Sequence, residues 1–269
     1  MKLSIITINY NNYFGLKRTY DSIASLKYSN FEWIIIDGGS KDGSKEFIES
    51  LLGKINITYW CSEKDKGIYN AMNKGIKHSN GEYLIFMNSG DSFYSPDIIS
   101  KVFSNNIQAD IIYGNALYIF KDHEELRKVP NDLTFRYIYE YTIYHQASFI
   151  KKNLFNENGY DENLKIVSDW KMWLIWILQN KTFSYIDETI CRFDAYGIST
   201  GNDKNVEIER NIVKEEILPN GINYLMDEIF LYESIIPYRP ELLNAIKRNN
   251  FYRKIINLSI KIIRFIQRL

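Results

Sequence analysis

The chain has 269 residues, 45% of them hydrophobic and 25% charged, which suits one large α/β domain or a catalytic domain with a small appendage and excludes a disordered or fibrous chain. Thirty-three basic and thirty-three acidic residues cancel, so no global field directs the chain to nucleic acid. The cancellation is uneven: positions 247–269 hold seven bases and no acid, so 1–246 carry the opposite −7.

Positions 3–8 form a β-rich run that ends in the polar cluster Asn9-Tyr10-Asn11-Asn12, and 14–27 show helical spacing through Leu16, Tyr20, Ile23 and Leu26. A second strand, 31–36, is almost wholly apolar and so reads as buried on both faces. The turn-rich segment 37–44 (DGGSKDGS) leads to a helix over 45–52, a strand over 55–60, a helix over 67–78 and a strand over 83–87. Strands alternating with short helices predict a parallel, doubly wound α/β sheet. Beyond about residue 205 the pattern is helical, broken near Pro219, Pro237 and Pro240. The opening MKLSIITINY reads as a strand without leader features, and no stretch nears 18 uninterrupted apolar residues, so no bilayer span is expected. Cys61 and Cys191 are far apart and form no CxxC pair, which argues against a disulfide framework or a zinc site and fits a reducing compartment.

In such a sheet, ligands bind beyond the carboxyl ends of the strands. Those ends carry Asn9, Asp37, the segment running towards Glu63 and Asp65, and Asn88-Ser89-Gly90-Asp91, so polar and acidic groups collect at one edge. Any one of them is equally a turn-forming residue. No GxGxxG follows the first strand and no GxxxxGK[ST] is present, which removes the main support for dinucleotide redox chemistry and P-loop phosphoryl transfer.

Residues 3–11 (LSIITINYN), 34–44 (IIIDGGSKDGS), 62–77 (SEKDKGIYNAMNKGIK) and 81–91 (GEYLIFMNSGD) resemble the successive blocks of the bacterial family 2 glycosyltransferases, in the branch that assembles polysaccharides such as O-antigen or colanic acid. The resemblance continues through YHQASF (144–149), GYD (159–161) and SDW (168–170), and so covers about 1–200. It implies a GT-A fold over 1–204, a helical extension over 205–269, and transfer of a sugar from a nucleotide donor, with a UDP-sugar the leading candidate. The implied acceptor is a hydroxyl of a glycan, lipid-linked in the expected setting of surface polysaccharide assembly.

The same resemblance assigns roles by position. Asn9, Asp37 and Asp65 fall on the nucleoside side, where carboxylates accept hydrogen bonds from base or ribose. The family often has two acids after the second strand, and here the second is Gly38. The NSGD block stands where an acid-rich motif usually holds Mg²⁺ or Mn²⁺, leaving Asp91 as the one ionised ligand and Asn88 as a carbonyl donor. A divalent ion needs only one or two protein carboxylates when substrate phosphates supply the rest, so metal use is expected, with weak affinity in the absence of donor. By composition alone, Asp65 is a loop charge between Lys64 and Lys66, and Gly90-Asp91 is a simple turn. The thinned motif also leaves open a non-catalytic nucleotide-sugar or glycan-binding relative.

An inverting displacement needs a base for the acceptor hydroxyl, and the resemblance places it at Asp169, with Ser168 as N-cap of a helix over 169–179. An acid is favoured in a first helical turn in any case. Trp170, Trp173 and Trp176 on that helix read as core rather than a sugar platform. His145 falls near acceptor or diphosphate by resemblance, and is equally a buried, satisfied histidine. No HxxxH or GxSxG pattern is present, so zinc or covalent hydrolase chemistry lacks support. The segment 195–199 (AYGIS) resembles the family's donor-covering loop. Finally, Lys254, Asn257, Lys261, Arg264 and Arg268 repeat at helical spacing within an otherwise apolar tail. Such a tail can lie on an anionic membrane, which would make the protein peripheral at the cytoplasmic face of the inner membrane; it can equally pack on the catalytic domain or a second subunit.

Overall fold

The computed structural model describes residues 3–104, 107–195, 203–219 and 221–235, together with Lys254 and Leu258. Apart from Lys254 and Leu258, the tail over 254–269 lies outside the described residues, as does the 195–199 loop beyond Ala195.

The first half follows the expected alternation. Strands β1 (Leu3–Asn9), β2 (Phe31–Asp37), β3 (Ile57–Ser62) and β4 (Tyr83–Phe86) are linked by helices α1 (Tyr13–Ala24), α2 (Ser44–Leu51) and α3 (Ile68–His78). They pair in parallel, β1 lying between β2 and β4, with Asn9 opposite Asp37 and Asp37 opposite Ser62. Every residue of β1, β2 and β4 is buried, as expected of parallel strands covered on both faces. The strand period of two divides them: Leu3, Ile5, Trp33 and Ile35 enter one core, whereas Ile6, Ile8, Ile34 and Ile36 enter the other. Helix α3 lies so close to β1 that a Cβ at Gly75 would collide with Ile6.

The second half departs from a doubly wound parallel sheet. After β5 (Ser92–Phe93) and α4 (Ile98–Ser104), β6 (Ile111–Ile119) forms a hairpin with β7 (Glu124–Arg127), and α5 (Phe135–Glu140) leads to β8 (Ser148–Lys151). Helix α6 (Ser168–Leu178), β9 (Phe183–Asp194), α7 (Asp203–Ile217) and α8 (Ile222–Ile235) complete the described chain. The strand order is β3-β2-β1-β4-β8-β6-β9-β5, with β7 on β6. Strand β8 is antiparallel to both β4 and β6, so the sheet is mixed.

Trp170, Trp173 and Trp176 are buried in the core, as the sequence predicts. A boundary at 204/205 would fall in the first turn of α7, and that helix packs into the same core through Val206, Val213 and Ile217. Cys191 is buried and Cys61 half-buried, and both are free thiols. Among the described residues no helix is long and apolar enough to cross a membrane.

Trp173 is wholly buried, edge-on to Trp176 at 5.2 Å between ring centroids. Trp173→Ala should therefore cost about 3–5 kcal/mol, read as a lower urea midpoint with unchanged slope.

Candidate active site

A cavity of about 920 Å³ opens beyond the carboxyl ends of β1 and β4 and continues between α3, α6 and α7. Asn9, Asp65, Asn88, Asp91, His145 and Asp169 all line it, so six of the seven predicted site residues meet in one place. The seventh, Asp37, lies beneath the wall, fully buried. Its Oδ1 accepts from Asn9 Nδ2 (2.7 Å) and Ser40 Oγ (2.5 Å). Its Oδ2 accepts from Ser62 Oγ (2.6 Å), Ser40 N (2.9 Å) and Gly39 N (3.2 Å). With both oxygens engaged, Asp37 holds three strand ends together instead of facing a ligand, which corrects its placement as a direct nucleoside contact. Asn9 passes the order onward, accepting from Ser89 Oγ at 2.6 Å.

Gly38, where a second acid is common, has a steric explanation. A Cβ there would stand 2.6 Å from Asp65 Oδ2 and 3.1 Å from the Tyr10 ring. Asp65 occupies the space that a side chain at 38 would need, and its other oxygen accepts from Gly67 N at 2.9 Å, bringing a carboxylate to the cavity from the next loop.

Asn88 lacks a donor to its Oδ1 and Asp91 is heavily desolvated. Asn88 Oδ1 is buried and accepts no hydrogen bond, while its Nδ2 contacts His145 Nε2 at 3.2 Å. Burial pushes the Asp91 carboxyl up to about 7, against the lowering influence of the Asp194 backbone N–H (2.9 Å), His145 and Gln146. An unpaired carbonyl oxygen beside a desolvated carboxylate is the donor set a hard divalent cation accepts, with the remaining positions left to phosphate oxygens and water. Among the described residues no group of three or more His, Cys, Asp or Glu could hold an ion unaided.

Asp169 stands at the start of α6, close to but not within the capping arrangement predicted. Ser168 is the first helical residue; its hydroxyl accepts from Asp161 N (2.6 Å), and the N-cap position is Val167, without a side-chain cap. Asp169 Oδ1 accepts from Trp170 N (2.9 Å) and Tyr69 OH (3.1 Å), and Oδ2 contacts His145 Nδ1 at 2.9 Å. With the Asn88 amide nitrogen donating to Nε2, the His145 proton sits on Nδ1 and is donated to Asp169. The carboxylate is thereby held in one orientation, its side chain still 16% exposed to the cavity. Helix α7 braces the loop before it: Glu209 accepts from the backbone N–H groups of Lys165 (2.8 Å), Ile166 (2.9 Å) and Val167 (3.2 Å).

Tyr69, Asp194, Glu209 and Arg210 were not singled out in the sequence. Tyr69 lies within the GIYNAMNKG block and Asp194 directly before AYGIS, so proximity to those blocks was an available clue. Glu209 and Arg210 sit on a helix without local motif, about forty residues from the loop they contact.

A mixed α/β sheet with a polar cavity at the ends of its parallel strands, lined by Asn88, Asp91 and Asp169, has the architecture of a GT-A-type sugar-transferring enzyme. The chain belongs to glycosyl transferase family 2, whose model matches residues 4–161. An uncharacterized glycosyltransferase of Mycobacterium tuberculosis is 31% identical over 204 residues, covering 74% of this chain and 77% of its own. A PGL/p-HBAD biosynthesis glycosyltransferase of Mycobacterium bovis is 29% identical over 174 residues, covering 62% and 66%. Among solved structures, S. aureus TarS 1-349 in complex with UDP-GlcNAc superposes with a TM-score of 0.66 at 17% identity, covering 95% of this chain and 78% of that one. The mannosyltransferase PcManGT from Pyrobaculum calidifontis in complex with GDP-Man and Mn2+ gives 0.56 at 12% identity, covering 96% and 84%. At these identities the structural likeness shows the fold.

The raised Asp91 carboxyl makes stability depend on pH. Its native value of about 7 exceeds the ordinary 3.8, so the native state holds the proton more tightly than the unfolded chain. The resulting stabilisation is complete below about pH 4 and is lost as pH rises through about 7. In chelator, Asp91→Asn should therefore unfold at a higher temperature than wild type at pH 8, with the advantage vanishing towards pH 4. An unchanged difference across that range would show that burial does not strain this carboxylate.

Proposed function

We propose that the protein is an inverting glycosyltransferase that moves a sugar from a nucleotide-sugar donor, a UDP-sugar first among candidates, to a hydroxyl of a glycan acceptor. The observation that carries this reading is the Asp169 carboxylate, held by Trp170 N and His145 and touched by the Tyr69 hydroxyl that also donates to Ile166 O (2.6 Å), inside the cavity that also holds Asn88 and Asp91. Tyr10 and Asp65, at the β1–β3 side, line the place for base and ribose, and Asn88 with Asp91 would hold Mg²⁺ or Mn²⁺. Such a cation, when bound, neutralises charge on the departing diphosphate. The donor of TarS and the Mn2+ and GDP-Man of PcManGT support a nucleotide sugar and a divalent ion as the ligands to try here.

In this reading the acceptor hydroxyl approaches from the Asp169 side, opposite the nucleotide. Asp169 takes its proton on the oxygen facing the cavity as the oxygen attacks the anomeric carbon. His145 and Tyr69 keep the carboxylate aimed and share its charge, so little reorganisation is needed at the moment of transfer. The basic, amphipathic sequence over 254–269 supports work at an anionic membrane surface on a lipid-linked acceptor in surface polysaccharide assembly.

Asp169→Asn keeps the shape and hydrogen-bonding reach of the side chain but removes the base. UDP should bind the variant with wild-type affinity in calorimetry, while UDP release from a UDP-sugar that the wild type turns over should fall by about 10²-fold or more. Wild-type-like turnover by the variant would remove Asp169 from this role, whereas a wild type that binds UDP-sugars and turns none of them over would favour the binding-only relative.

A further inference from the structure

Among the described residues, Arg210 is a cation of the cavity without an ion-pair partner. It projects from α7 and lays its guanidinium on the Trp170 ring, with Cζ 4.8 Å from the centroid. Nη1 donates to the neutral Glu140 carbonyl at 2.9 Å. Nε is buried with no acceptor, and among the described residues no carboxylate lies within ion-pair distance of the group. Burial lowers its proton affinity, opposed only by the charge of Asp169. Asp91 can relieve its desolvation by taking a proton; a guanidinium cannot relieve it by losing one. A partly buried cation with an unpaired Nε favours a counter-charge, and among the described residues none is supplied. Lys165, four residues before Asp169, lines the same cavity from an exposed position and forms no ion pair among the described residues.

Place decides which ligand brings the anion. Asn9, Tyr10 and Asp65 belong to the β1–β3 side of the sheet, and Arg210 and Lys165 to the α6–α7 side, next to the base. Direct displacement puts the acceptor on the base's side and the diphosphate on the other. We propose that Arg210, with Lys165 at the rim, binds an anionic group of the acceptor, a phosphate or a carboxylate. The assignment rests on the glycosyltransferase reading; the need of Arg210 for an anion does not.

The test uses the full chain and inorganic phosphate as probe, titrated by calorimetry into free protein and into protein saturated with UDP and Mn²⁺. Wild type should bind phosphate in both forms, with Kd in the millimolar range. Arg210→Gln should weaken it by about tenfold or more and Arg210→Lys by only a few-fold, while UDP affinity stays within about twofold. Absence of phosphate binding by wild type, or equal binding by Arg210→Gln, would overturn the anion site. Phosphate displaced by UDP, together with UDP binding about tenfold weaker in Arg210→Gln, would overturn the acceptor assignment and give the site to the donor diphosphate. Failure of UDP to bind wild type would count against the glycosyltransferase reading, and the titration of free protein would still decide the anion site. If Arg210→Gln does not fold, Lys165→Gln carries the comparison: weaker phosphate binding supports the site and unchanged binding overturns it.

Discussion

A charged group taken out of water must be matched, neutralised or left at a cost, and the treatment of each buried charge here tells what it is for. Asp37 is matched completely: five donors from two strand ends and one loop close around it, and it becomes a fixed piece of scaffold. Lys171, buried on α6, is matched by Asp161 at 2.8 Å and Glu216 at 2.7 Å, which ties α7 to the body. Among the described residues, Tyr160 OH and Trp173 Nε1 lack partners within the aromatic core, while the incompletely matched Asn88 and Arg210 and the desolvated Asp91 face one cavity. The fold supplies the matched charges; the ligands would supply the rest.

The same contrast describes the two sides of the cavity. On the sheet side, parallel pairing brings Asn9 level with Asp37, and Ser89 returns to Asn9, so the loops at the strand ends rest on a hydrogen-bonded floor. On the helical side the carboxylate of Asp169 is set by residues distant in sequence. Tyr69 comes from α3, His145 from the turn before β8, and the loop beneath is braced by Glu209 of α7. Helix α7 is thus a working part of the catalytic body, although it lies beyond the 4–161 segment that defines the family.

The parallel half of the sheet was legible because each strand there is a continuous apolar run ending in a turn, and both features are local. Asn9, Asp65, Asn88 and Asp91 were legible from short blocks beyond strand ends, and His145 and Asp169 from the family resemblance. The antiparallel half was not, since β6, β8 and β9 mix polar and apolar positions and their order depends on pairings across up to eighty residues. Asp37 was misplaced for a related reason: composition cannot separate an acid facing a ligand from one enclosed by serines, and only the pairing of β2 with β3 brings Ser62 to it. Glu209 and Arg210 gave no local sign, because their meaning lies wholly in what α7 packs against.

The central claim is that the Asn88–Asp91 pair and a nucleotide diphosphate complete one another's cation site, neither sufficing alone. Electron paramagnetic resonance of Mn²⁺ tests it directly, since the free ion's signal falls when it binds. The account predicts that wild-type protein leaves the Mn²⁺ signal nearly unchanged until UDP is added, and that the joint loss exceeds that of UDP with Mn²⁺ in buffer. It also predicts that Asn88→Asp, which adds a second carboxylate, takes up Mn²⁺ without nucleotide. Equal UDP binding with and without Mn²⁺, and no signal change attributable to the protein, would contradict it.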